Sequence, residues 1–276
     1  MSTTIQAQDA PKLIVRGDDM GFSHSANLAL IDSYTSGIQT SIEIIVPAPW
    51  FPEAVELLNE HSTIDVGIHL ALTSEWDRVK WRPLTWVPSL VDEDGYFFPM
   101  SFKNEYYEGK SIQENDWDIE EIEQELRAQI ELAIRKIPRI SHVSTHMGFD
   151  WIDPEIKELV KRLAQEYHID IDLEEYGVEY ISYFELPWQE AIKATSERKE
   201  EAFIKMLESL EDSKTYVFVD HPGYDNVELQ AISHIGYESV AADRQGVTDV
   251  FTSEKVKTAI KELGIQLISY QDLTQQ

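Results

Sequence analysis

The chain has 276 residues, 42% of them hydrophobic, enough for a large core; one α/β barrel commonly takes about 250 residues, so one domain is expected. A net charge of -28, from 51 acidic and 23 basic residues, repels phosphate backbones and anionic membranes and sets nucleic-acid and membrane partners aside. The absence of cysteine excludes disulfides, thiolate metal sites and cysteine nucleophiles, and no apolar run reaches membrane-spanning length.

Residues 1–11 read as a tail ahead of one catalytic domain over 12–276. The opening MSTTIQAQDA has neither the basic start nor the apolar stretch of a signal peptide, which predicts a cytoplasmic protein; an exported chain trimmed of its signal would read alike. Residues 12–16 (KLIVR) form a short apolar run that stops at GDDMG, a buried strand and then a turn. A helix is predicted over 23–34 with Ser23 as N-cap, a β-branched strand over 40–46, a helix over 52–61 and a strand over 65–70. Strands alternating with helices predict a parallel sheet wrapped by helices, an α/β fold of the distorted (β/α) barrel type.

The pattern breaks from 71 to about 117, where Trp76, Trp81, Trp86 and Trp117 fall among Pro83, Pro88 and Pro99 with little period. A loop of that length inside a compact domain is commonly functional; its aromatics either stack on sugar rings or pack as a satellite core. The clearest helix covers 118–136, with apolar residues stepping by three or four and an acidic face expected to be solvated. Next come a strand over 141–145, a helix over 154–167, a strand over 169–173, a helix over 187–210, a strand over 215–220, a helix over 253–263 and a strand over 266–269.

Polar residues cluster where these strands end. Asp18 and Asp19 follow the first, His69 lies in the third, His146 follows the fourth and His221 follows the strand TYVFVD. Loops converge on that edge of a parallel sheet, which is where active sites form. A carboxylate with two imidazoles is a normal ligand set for a catalytic divalent ion, zinc or magnesium, and Asp19, His69 and His146 are the candidate ligands. Asp18 is the candidate general base and His221 the candidate proton donor, on a turn fixed by Pro222 and Gly223. Glu43 and Asp150 are candidate substrate or supporting contacts, and Arg244 could pair with Asp18 and hold it ionised.

Plainer readings stand beside these. Asp-Asp is often only a turn or helix cap, His69 could be a core histidine, and Glu43, Asp150 and Arg244 could be ordinary hydrogen-bond or ion-pair partners. His142 reads as structural, and His24, His61, His168 and His234 read as surface or packing residues.

LIVRGDDMGFSHSAN, Thr40-Ser41, VGIHLALT, SHVSTHMG and DHPGY occur in the order found in YdjC/ChbG-like carbohydrate deacetylases, and PSLVDEDGYFF resembles a further segment of that family. The resemblance spans roughly residues 12 to 270. It implies a distorted (β/α) barrel, hydrolysis of N-acetyl groups on amino sugars such as chito-oligosaccharides, an ion on Asp19, His69 and His146, Asp18 as base, and His221 in the HPG turn. Two departures concern the substrate side. Arg16-Gly17 precedes the two aspartates where the family usually reads NADDFG, and HVSTHMGFD replaces its histidine-rich segment, with Ser144 in place of an acid and no histidines beyond His146.

The expected partner is therefore an acetylated amino sugar or oligosaccharide, and a homo-oligomer is left open. Competing readings are a two-carboxylate glycosidase and a sugar-binding protein without catalysis.

Overall fold

The computed structural model describes residues 10–275, so the expected tail over 1–11 lies outside the described residues up to position 9. Among the described residues seven strands form one parallel sheet in the order β4-β3-β2-β1-β6-β5, with β7 beside β1. The strands are β1 (Lys12–Met20), β2 (Ser41–Ile44), β3 (Asp65–Leu70), β4 (His142–Thr145), β5 (Glu179–Ile181), β6 (Thr215–Asp220) and β7 (Gln266–Leu267). β6 runs along one edge of β1 from Lys12 to Gly17; β7 takes the start of the other edge and β2 the rest. Helices α1 (His24–Thr35), α2 (Phe51–Glu60), α3 (Ile119–Lys136), α4 (Pro154–Glu166), α5 (Trp188–Ala191), α6 (Ser196–Glu208), α7 (Val240–Thr252), α8 (Glu254–Leu263) and α9 (Tyr270–Leu273) complete the fold. The sheet curls with helices around it, the distorted (β/α) barrel expected from the alternating pattern. No helix among the described residues is long and apolar enough to cross a membrane.

Local chemistry sets the helix ends. Ser23 caps α1 by accepting from Ala26 N at 3.1 Å, and Asp118 caps α3, whose first turn is acidic and last turn basic, as the helix dipole favours. Gly264 ends α8 in the left-handed region at φ 70°, where a side chain would be strained.

Three expectations need correction. Residues 169–173 are not a strand: Asp172 accepts from Glu174 N at 2.9 Å and bends the chain, and the strand comes later as β5. The helix expected over 187–210 breaks after α5, and Thr195 caps α6 afresh through Arg198 N at 3.3 Å. The terminal strand stops at Leu267, short of Ser269. An unexpected helix, α7, fills 240–252; it buries residues on all sides, Asp243 and Arg244 included, so it has little amphipathic period to read.

The segment 71–117 contains two 3-10 turns, Pro88–Leu90 and Ile112–Glu114, and is no separate satellite core: its buried Trp76, Trp81 and Phe97 join the main hydrophobic core, while Trp86 is exposed. It docks on α3 and covers Glu125, the one buried exception to an acidic face that is otherwise exposed or half-buried as expected. Glu125 is fully buried and accepts from Leu84 N at 3.0 Å, Thr85 N at 2.9 Å and Thr85 Oγ1 at 2.6 Å. Gln129 holds both backbone groups of Ala71, at 3.0 and 2.8 Å. Glu125→Ala strands buried donors and is expected to cost about 2–3 kcal/mol in chemical denaturation. A loss no larger than that of an exposed control such as Glu120→Ala would show that the loop does not depend on this anchor.

Candidate active site

Adjacent strand residues normally point to opposite faces, so Asp18 and Asp19 should not share a site. They do here because the β1–β2 register shifts between Gly17 and Met20 and Asp19 takes φ 70°, turning both carboxylates toward His69. His69 Nε2 lies 3.7 Å from Asp18 Oδ2 and 3.6 Å from Asp19 Oδ1. His146, just past β4, places Nδ1 3.2 Å from Asp19 Oδ1. The aspartates thus sit on an irregular strand end, neither the simple turn nor the helix cap of the plainer reading.

The side chains around the cluster fix which atoms face it. Ser144 Oγ donates to Glu43 Oε2 at 2.6 Å and accepts from His69 Nδ1 at 2.7 Å, so the His69 Nε2 lone pair faces the aspartates. Burial holds His69 down to about 4 against the pull of Asp18, so it is neutral at physiological pH. His146 Nε2 donates to Glu75 Oε2 at 3.0 Å, which turns Nδ1 inward. Burial opposes its protonation, yet Glu75 and Asp19 outweigh it and raise His146 to about 10. Burial likewise pushes Asp19 up, while His221, Arg244 and His146 hold it well below the usual carboxylate range.

The residues fit a cation. One ligand atom each from Asp19, His69 and His146 lies within 4.8 Å of the others, and all three side chains are buried. Asp19 Oδ1 and His146 Nδ1 are buried without a hydrogen-bond partner, a costly arrangement that a cation between them would relieve. A carboxylate oxygen with two imidazole nitrogens suits a divalent ion.

Two arginines hold the aspartates, and their pairing corrects the sequence reading. Arg244 donates through Nη2 to Asp19 Oδ2 at 2.7 Å, not to Asp18, while its guanidinium lies 4.5 Å from the Phe22 ring centroid. Asp18 is clamped by Arg16, the departure from the NADD pattern, through Nε to Oδ1 at 2.8 Å and Nη2 to Oδ2 at 2.9 Å. Residues two apart on a strand share a face, which lets the fork close on the carboxylate.

His221 Nε2 stands 3.9 Å from Asp19 Oδ2, and its Nδ1 stands 3.5 Å from Asp220 Oδ1. Burial opposes protonation of His221, but Asp19 and Asp220 raise it above the ordinary imidazole value. Asp220 also accepts from Tyr183 Oη at 2.9 Å. These groups line a cavity of about 510 Å³ with Lys199, His234, Tyr237 and Trp188.

Two supporting candidates fall elsewhere. Glu43 is fully buried behind His69, 2.5 Å from His142 Nε2, and does not line the cavity. Asp150 accepts from Thr145 Oγ1 and lines a neighbouring cavity. His142 is structural, as read, stacked on Tyr270 at 3.5 Å. His234, read as surface or packing, lines the active cavity 5.6 Å from Trp76. Glu75 and Asp220 escaped sequence reasoning. Asp220 was visible as the residue before HPGY, whereas Glu75 lies in a stretch without period.

An open parallel barrel with a buried carboxylate and two imidazoles at the carboxyl ends of its strands defines the class of site. The YdjC-like protein profile matches residues 12–262, and the chain belongs to that family. It is 28% identical over 273 residues to carbohydrate deacetylase 2 of Listeria innocua, covering 95% of this chain and 98% of that one. It is 29% identical over 275 residues to a carbohydrate deacetylase of Enterococcus faecalis, covering 95% and 98%. A solved Enterococcus faecalis structure, described as a cellobiose-phosphate cleavage protein, superposes with a TM-score of 0.72 at 25% identity, covering 96% and 99%.

Proposed function

We propose that this protein is a metal-dependent carbohydrate N-deacetylase that hydrolyses an acetamido group on an amino sugar to acetate and a free amine. The observation that carries the reading is the convergence of Asp19, His69 and His146 with Asp18 and His221 beside them. The names of the relatives agree with it. When bound, a divalent ion on the three ligands supplies Lewis acidity and eases deprotonation of water. Two imidazole ligands favour zinc over magnesium.

Asp18 takes a proton from the attacking water, whose oxygen bonds to the acetyl carbon. His221, oriented by Asp220, gives a proton to the sugar nitrogen as the carbon–nitrogen bond breaks. Arg16 fixes the Asp18 carboxylate, and Ser144 with Glu43 fixes the His69 ring. The glycosidase alternative needs a protonated carboxyl facing a second carboxylate. Both oxygens of Asp18 accept from Arg16, and Asp19 is salt-bridged to Arg244, so this pair does not suit that chemistry.

The test is acetate release from N-acetylated oligosaccharides. Chelator-treated protein is expected to lose at least about 99% of the rate and to regain it on adding zinc. Acetate release that persists at full rate after removal of metal, or none with any divalent ion, refutes the proposal.

A further inference from the structure

The sheet path ends at β4 and β5, which do not pair with each other among the described residues. The segment that the sequence marked as a strand, 169–173, would have fallen between them in chain order, but it bends away. The barrel wall is therefore open at this seam, and a cavity of about 430 Å³ occupies it.

Arg16 and Thr145 line both this seam and the active cavity, so the two spaces share a wall at the Asp18 clamp. Trp151 and Tyr180 line the seam and are 76% and 66% exposed. A single exposed aromatic is ordinary, but two lining one cavity beside an active site are not explained by core packing. Trp151 ends the 3-10 turn His146–Trp151, whose left-handed Met147 and Gly148 reverse the chain, so the turn that aims His146 at the cluster also presents Trp151 to the seam. Asp150 is among the polar groups of the same lining, where carboxylates outnumber cations. That balance disfavours a phosphorylated sugar. A pyranose ring has an apolar C–H face for an aromatic ring and hydroxyl edges for polar groups, which matches this lining.

We propose that the seam is a subsite for an uncharged sugar ring, the neighbour of the residue being deacetylated, with Trp151 and Tyr180 as its platforms. The proposal rests on the deacetylase reading and makes the substrate a glycan of at least two rings.

The experiment compares Trp151→Ala and Tyr180→Ala with wild type on N-acetylglucosamine and on N,N′-diacetylchitobiose. Each variant is expected to lose about tenfold in kcat/KM on the disaccharide, a loss about fivefold greater than on the monosaccharide. Equal losses on both sugars, or none on the disaccharide, overturn the subsite. If wild type releases no acetate from either sugar, the deacetylase reading fails on its own, and calorimetric titration with the disaccharide decides the subsite. Weaker binding to Trp151→Ala than to wild type upholds it; equal or undetectable binding in both overturns it.

Discussion

Asp19→Ala is expected to empty the centre and stop turnover together. Asp19 is the only carboxylate of the three-residue ligand group, and its Oδ1 lies between His69 and His146 while Oδ2 anchors Arg244. Removing it deletes a ligand and leaves a guanidinium that is 3% exposed without its carboxylate, so the cavity turns cationic where a cation should bind. Zinc content should fall from about one to below about 0.1 per chain, and acetate release by at least about 10³-fold. A stranded buried charge can also cost about 3–5 kcal/mol in stability, so Asp19→Asn is the companion variant, retaining an amide oxygen for Arg244. It too should lose zinc, while its denaturation midpoint stays nearer wild type. Proton release provides a further check. Glu75 and Asp19 raise His146 to about 10, so near pH 8 a proton must leave it as an ion binds, and apparent affinity should rise with pH. Stoichiometric zinc in both variants would refute the ligand assignment.

Much of this site is legible in the amino-acid sequence, for a definite reason. Apolar, β-branched runs such as KLIVR and TYVFVD mark strands, and the polar residues that follow them, Asp18-Asp19 and His221, are set by the fold at the functional edge. Asp19, His69 and His146 were legible because each sits at or near such an end. Partners set by side-chain direction were not. The Arg244 fork reaches Asp19 from a helix 225 positions away, and Arg16 closes on Asp18 from two positions away. Whether Glu43 faced a substrate or the core depended on register with His142 across the sheet, which neither spacing nor composition encodes. The failures in the fold have the same character. Residues 169–173 alternate apolar and acidic as an edge strand would, but the Asp172 side chain satisfies the backbone locally and the ladder never forms. α7 was missed because buried polar residues erased its period.

Asp18→Asn should separate chemistry from metal binding. The change keeps the size of a side chain that is 4% exposed and lies outside the three-residue ligand group, 3.7 Å from His69 Nε2 at its nearest, so zinc should remain near one per chain. The amide cannot take the water's proton, and kcat is expected to fall by about 10²–10⁴ with KM little altered, measured as acetate release at saturating sugar. Arg16 complicates the comparison because one of its two bonds to Asp18 would meet an amide NH₂, a donor against a donor. Asp18→Glu addresses this by retaining the carboxylate while displacing it, and a base role requires that variant also to lose most turnover, since proton transfer depends on position. Zinc loss in Asp18→Asn would make Asp18 part of the metal site. Full activity with zinc bound would move the base to another carboxylate lining the cavity, and Glu75, bonded to the ligand His146, would be the first to examine.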